Sequence, residues 1–141
     1  MLTTAPEIVK QVKQYNLDPK YFITGLGSVG TLVGMSRIFK KELPEMKIVG
    51  FEPEQSKVYA GFPRGPHKIQ GIAPGFIPQV FEKELCDELV ACDQDEAYAM
   101  QKTGQRRRNI GWNQLSCCRS GSFEICRKAQ LRCYCYCGLF R

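Results

Sequence analysis

The stretch Tyr21–Phe39, YFITGLGSVGTLVGMSRIF, decides the fold. Tyr21, Phe22 and Ile23 form a short apolar run of strand type, and Gly25, Gly27 and Gly30 punctuate the residues after it. From Thr31 the spacing turns helical, with Leu32, Met35, Ile38 and Phe39 recurring at three and four residues. Lys40 and Lys41 then suit the negative end of a helix dipole, and Pro44 stops the element. A strand passing through a glycine turn into a helix is where α/β folds bind phosphate. Free backbone N–H groups and the positive helix end both point at the anion there. Small residues let the backbone approach closely, and Ser28 and Thr31 add hydroxyl donors. The spacing lacks the Gly-Lys-Ser/Thr of a P-loop, and a ligand-free turn explains an isolated glycine cluster about as often.

Upstream, residues 5–16 (APEIVKQVKQYN) place Ile8, Val9 and Val12 on one helical stripe, with Pro6 in the first turn and Asp18-Pro19 as the expected stop. Downstream, Lys47–Phe51 (KIVGF) reads as a buried strand followed by a turn at Glu52-Pro53-Glu54. Residues 55–78 carry so many glycines and prolines that loops and short turns are expected. Glu88–Cys92 (ELVAC) reads as a third strand, and Asp93 as the cap of a helix that begins QDEAYAM. Alternation of this kind predicts an α/β fold, with a partial parallel sheet and helical crossovers.

Composition divides the chain. The 141 residues carry a formal charge of +6 and eight cysteines, which taken whole suggest an anionic partner and metal or redox chemistry. Residues 1–100 hold eleven Lys/Arg against thirteen Asp/Glu, a balance of −2. Residues 101–141 hold nine Lys/Arg, one acid and six of the cysteines, a balance of +8. The expected organisation is therefore an α/β body over 1–100 and a basic, Cys-rich tail over 101–141. No apolar run approaches the roughly 20 residues of a membrane span, and the N-terminus lacks a signal-peptide pattern, so a cytoplasmic location without membrane attachment is expected.

Five motifs, TAPEI, FITGLGSVGTLVG, KIVGFEP, GPHKIQGIAPGFIP and DEAYAM, occur in one order between about Thr3 and Met100. In residues and spacing the body resembles the cysteine synthase (O-acetylserine sulfhydrylase) and cystathionine β-synthase family, which are fold-type II pyridoxal-phosphate enzymes. The resemblance implies the C-terminal-side portion of that fold. It also implies a parent reaction in which sulfide or a thiol replaces the β-substituent of a serine derivative. The cofactor implied is pyridoxal 5′-phosphate, and the implied partners are a small-molecule substrate, a second copy in a homodimer, and serine acetyltransferase.

The family's phosphate-cradling G-T-G-G-T falls on Gly27, Ser28, Val29, Gly30 and Thr31. Serine keeps the hydroxyl, whereas Val29 stands where the family has glycine and resists positive φ. Lys68–Phe76 resembles the family's K-I-Q-G-I-G-A-G-F, which makes Gln70, Gly71, Ile72 and Gly75 the candidate substrate loop; Ala73-Pro74 there replaces Gly-Ala. His67, the single histidine, belongs to that loop motif and is expected to be structural, while Cys86 and Cys92 are expected to be small core residues. The family's cofactor-linking lysine and Ser/Thr-Asn loop belong to the half before TAPEI. Met1 therefore reads as an internal start or the beginning of a gene fragment, and catalysis by this chain alone is not expected.

Three readings of the tail compete. Cys133, Cys135 and Cys137, with Cys117, Cys118 and Cys126, lack the paired C-x₂₋₄-C knuckles of structural metal sites. Arg106, Arg107, Arg108 and Lys102 form a basic run without the interleaved aromatics of a nucleic-acid groove, so no nucleic-acid partner is expected. The third reading is a one-base change of frame near Met100–Gln101. Shifted codons permitted by QKTGQRRRNIGWN and the residues to Phe123 can read RRLAKEEGILVGISS-x-AAV-x-AAL, which resembles the family's continuation after DEAYAM except for one glycine. A segment read in the wrong frame carries no selected pattern, and an irregular, poorly packed tail is expected.

Overall fold

The computed structural model describes residues 4–95 and 97–99. The first helix, α1 (Thr4–Gln14), buries Ala5, Val9 and Val12, with Ile8 packed beside them. It ends two residues earlier than the apolar stripe suggested. Asn16 is left-handed (φ 47), Leu17 N–H donates to Val12 O at 2.9 Å, and Asn16 N–H reaches Lys13 O at 3.3 Å. That is a Schellman ending, and asparagine tolerates the conformation it needs. The chain has therefore left the helix before Asp18 and Pro19 can break it.

Strand β1 (Tyr21–Gly25) leads through the glycine turn into α2 (Gly30–Glu42), and β2 (Lys47–Pro53) comes next. A single 3-10 turn at Lys83–Leu85, unexpected from the sequence, precedes β3 (Glu88–Cys92). The strands form one parallel sheet in the order β1-β2-β3, with Phe22 opposite Ile48, Gly25 opposite Phe51, and Phe51 opposite Val90. The α/β expectation is met, with β2 central. The turn expected at Glu52-Pro53-Glu54 is a correction. Both Glu52 and Pro53 belong to β2, Pro53 pairs with Cys92, and Glu54 N–H continues the ladder to Cys92 O at 2.9 Å. Proline is tolerated there because it ends the strand.

Successive residues of a strand face opposite sides, and the core divides accordingly. Phe22 and Ile48 join Ala5, Val9, Leu26, Leu32, Met35 and Phe39 under the helices. Ile23, Val49 and Phe51 join Ile69, Ile72, Val90, Cys92 and Ala97 on the other face. Burial on both faces explains why β2 reads as a continuous apolar run. Asp87 fixes the entry to β3 by accepting from Ile48 N–H at 2.8 Å and from Lys40 Nζ at 2.6 Å. Beyond β3, Asp93 caps as expected: its Oδ1 accepts Asp95 N–H at 2.8 Å and its carbonyl accepts Ala97 N–H at 3.1 Å.

Cys92 lies in the second core cluster, and Cys86 packs against the first, where burial pushes its thiol up from the usual range. The tail readings over 101–141 (irregular packing, metal ligands, basic arm, shifted frame) lie outside the described residues. Among the described residues, no helix is long and apolar enough to cross a membrane.

Candidate phosphate-binding site

The glycine turn is held at three points, all from outside it. Leu26 N–H donates to Phe51 O at 3.0 Å, which ties the turn to β2. Leu26 O accepts Ala73 N–H at 2.7 Å, and Gly27 O accepts the Tyr59 hydroxyl at 2.6 Å. Gly27 is required by space, since a Cβ there would stand 2.4 Å from Gly71 O. Gly25 is similarly walled, with Ile72 Cγ2 at 2.8 Å from the position of its Cβ. The loop at 71–73 is thus seated directly on the glycine turn, as two segments of one site would be.

Val29 is left-handed (φ 55) and buried, and it stands as the N-cap of α2 without a side-chain hydrogen bond. Ala73, the other position where the family pattern has glycine, is also left-handed (φ 46). Both substitutions therefore keep a backbone that suits glycine, at a cost of about 1–2 kcal/mol each for a residue with a Cβ. Ala73 is fixed on both sides: its N–H is on Leu26 O, and its carbonyl accepts His67 Nε2 at 3.1 Å. His67 thus braces the loop, in keeping with the structural role expected of it. The other ring nitrogen, Nδ1, is buried without a partner among the described residues.

The first turn of α2 contains no acidic residue, so no carboxylate of that turn neutralises its positive end. Ser28 is exposed and Thr31 half-buried, which leaves both hydroxyls at the helix entrance. Short side chains, a backbone approach walled by Gly71, and uncapped N–H groups fit a phosphate group. The five loop residues Gly27, Ser28, Val29, Gly30 and Thr31 are contiguous at this helix end. The four candidates of the second loop are dispersed. Gly71 abuts Gly27, while Ile72 turns its side chain into the core of the second face. Gln70 is exposed, and Gly75 (φ 87) lies in a neighbouring groove of about 420 Å³ with Ser56, Arg64, His67 and Pro74. Among the described residues, no group of three His, Cys, Asp or Glu side chains is placed to hold a metal.

Sequence reasoning missed Glu52 and Tyr59. Glu52, 1 % exposed on β2, accepts Tyr59 N–H at 2.9 Å and Ala60 N–H at 3.0 Å. Burial raises its carboxyl above the ordinary range, and those two N–H donors work against the rise. Burial, with the Glu52 charge adding, pushes the Tyr59 hydroxyl up to about 12, so it stays a proton donor to Gly27 O. The acid in KIVGFEP and the tyrosine seven residues later carry no local signal of this pairing.

A family model described as "Pyridoxal-phosphate dependent enzyme" matches residues 1–117. The chain is 38% identical over 109 residues to a cysteine synthase of Staphylococcus aureus, covering 77% of this chain and 34% of that protein. Among solved structures, it superposes on an O-ureido-L-serine synthase with a TM-score of 0.81 at 28% identity, covering 89% of this chain and 39% of the other. An O-acetylserine-dependent cystathionine β-synthase from Helicobacter pylori matches with a TM-score of 0.70 at 30% identity, over 89% and 39% of the two chains. The chain spans about a third of the length of the curated cysteine synthase relatives it matches.

Proposed function

The chain belongs to the pyridoxal-phosphate-dependent enzyme family, with cysteine synthase-like relatives, and from that premise we propose that its glycine turn is the seat of the cofactor's phosphate. Gly27, Ser28, Val29, Gly30 and Thr31 would hold the phosphate through backbone N–H groups and the two hydroxyls. Gln70, Gly71, Ile72 and Gly75 belong to the segment that flanks the cofactor and substrate, with Gly71 supplying backbone and Ile72 anchoring the loop in the core. The observation that carries this reading is the left-handed, glycine-walled turn at an acid-free helix N-terminus. When bound, pyridoxal 5′-phosphate supplies an electron sink that activates an amino-acid substrate at its α and β carbons.

The parent reaction under this reading is β-replacement of O-acetylserine by sulfide to give cysteine, in the cytoplasm, by a homodimer that pairs with serine acetyltransferase. This chain's matched motifs do not include the lysine that links the cofactor. Its own contribution under this reading is to bind and orient the phosphate, and the body over 1–100 is the part that does so. The test is to add pyridoxal 5′-phosphate to the purified chain and follow its ³¹P resonance, then treat with borohydride. A shifted resonance that borohydride does not fix covalently supports the reading; an unmoved resonance overturns it.

A second reading, a non-catalytic module that pairs with a full-length subunit or a serine acetyltransferase, is favoured by Phe62, Phe76, Ile77 and Val80, which are all about half exposed or more along the 61–80 segment. Co-purification with a full-length homologue tests it. A chain that elutes alone at micromolar concentration counts against it.

A further inference from the structure

Val29 is held left-handed where a valine disfavours it, so the turn needs support from outside itself. The Tyr59 hydroxyl on Gly27 O, at 2.6 Å, lies two residues before that valine. Tyr59 is not a loose loop residue. The residue is 5% exposed, its ring meets Phe81 edge to face at 5.0 Å, and its backbone N–H is on the buried carboxylate of Glu52 in β2. The support therefore runs from the central strand, through Glu52 and Tyr59, to the turn.

Peptide geometry says what that support does. The described peptide bonds include no cis bond, and in a trans peptide the carbonyl and the following N–H point in opposite directions. A Gly27 carbonyl held on Tyr59 turns the Ser28 N–H to the other side of the turn. Were the peptide to flip, an oxygen would replace that N–H and repel an anion.

We infer that Tyr59 is a positioning residue for the phosphate site: its hydroxyl locks the Gly27–Ser28 peptide with the Ser28 N–H presented to the anion, and so compensates for valine at position 29. The inference rests on the phosphate reading of the turn and goes beyond it, since Tyr59 reaches the turn through Gly27 O and belongs to none of the glycine motifs. It also explains how a turn with a β-branched residue at a glycine position keeps a binding geometry.

The experiment uses the full chain as wild type, Tyr59→Phe, Val29→Gly and the double variant. Inorganic phosphate and pyridoxal 5′-phosphate are separate probes followed by ³¹P resonance, with the Ser28 amide followed by ¹⁵N correlation spectra and folding by far-UV circular dichroism. Losing the hydroxyl should weaken both probes roughly tenfold, the scale of one hydrogen bond to a fixed peptide, and shift or broaden the Ser28 amide before any ligand is added. Val29→Gly in the Tyr59→Phe background should restore most of the affinity, because glycine holds positive φ unaided. A purely structural Tyr59 would show no such rescue.

Unchanged affinity and an unchanged Ser28 amide in Tyr59→Phe overturn the inference, as does a double variant no better than the single one. If Tyr59→Phe does not fold, Val29→Gly is compared with the double variant: equal affinity supports the inference and a tenfold loss contradicts it. If wild type binds neither probe, the phosphate reading fails by itself. The Ser28 amide then decides the Tyr59 lock: a shift in Tyr59→Phe supports it and an unmoved resonance overturns it.

Discussion

Gly27→Ala asks whether the glycine turn and the 71–73 loop form one fitted site. The new methyl would stand 2.4 Å from Gly71 O, whereas ordinary contact begins near 3.4 Å, so one backbone must retreat by about 1 Å. Neither side gives easily. Leu26 is tied to Phe51 O at 3.0 Å and to Ala73 N at 2.7 Å, and Ile72 and Ala73 are buried. A retreat of that size stretches the Ala73–Leu26 bond to roughly 3.7 Å, beyond useful hydrogen-bond range. Overpacking of this kind costs about 1–3 kcal/mol, and a buried pair left unmade costs about 1–3 kcal/mol. The expected loss is then about 2–6 kcal/mol. Urea unfolding followed by far-UV circular dichroism measures it as a lower midpoint at unchanged slope. Gly61→Ala is the control: its φ is +90 and nothing lies within 4 Å of a Cβ, so it should lose only about 1 kcal/mol, from backbone conformation. Phosphate affinity should fall in Gly27→Ala and stay unchanged in Gly61→Ala. A Gly27→Ala chain as stable as Gly61→Ala would refute the claim that these loops are fitted backbone to backbone.

Other contacts in the fold set further outcomes. Asn16→Gly should raise stability by a few tenths to 1 kcal/mol, and Asn16→Ala should lower it by about 1 kcal/mol, because the Schellman ending of α1 needs a left-handed residue; thermal unfolding reads both. For Asp87, partial burial opposes the charge, but the Lys40 ammonium and the Ile48 N–H outweigh it and hold the carboxyl below its ordinary value. A carboxyl lowered by folding stabilises the protein above its unfolded value, and that contribution disappears as pH falls through the folded value. Asp87→Asn should therefore flatten the acid limb of a stability–pH curve. Tyr59 has the opposite sign at high pH. Its stabilisation is complete below the ordinary tyrosine value of 10 and is lost as pH rises through about 12, so an ultraviolet titration should show a late phase that is lost in Tyr59→Phe.

Much of the fold was legible because its signals are local. Apolar runs at Tyr21, Lys47 and Glu88 mark strands in a sheet covered on both faces, and the glycines after Ile23 mark the turn between strand and helix. Boundaries were harder to read. Asn16 ends α1 through hydrogen bonds that an apolar stripe does not encode, and β2 runs on to Pro53 because Cys92, some forty residues later, pairs with it. In the site, the glycine turn is visible as a motif, but its supports are not. Tyr59 and Ala73 reach the turn from 32 and 47 positions away, and both act through backbone carbonyls that any residue possesses. Ile72 shows the converse difficulty: within a loop motif it reads as a lining residue, yet its side chain is core.

Competition by equilibrium dialysis asks whether the turn from Gly27 to Thr31 binds the phosphate of pyridoxal 5′-phosphate. Pyridoxal 5′-phosphate should bind the chain and be displaced by inorganic phosphate, while pyridoxal, which lacks the phosphate, should neither bind nor compete. Equal binding of pyridoxal and its phosphate, or binding that inorganic phosphate does not displace, would mean that the turn does not hold the phosphate.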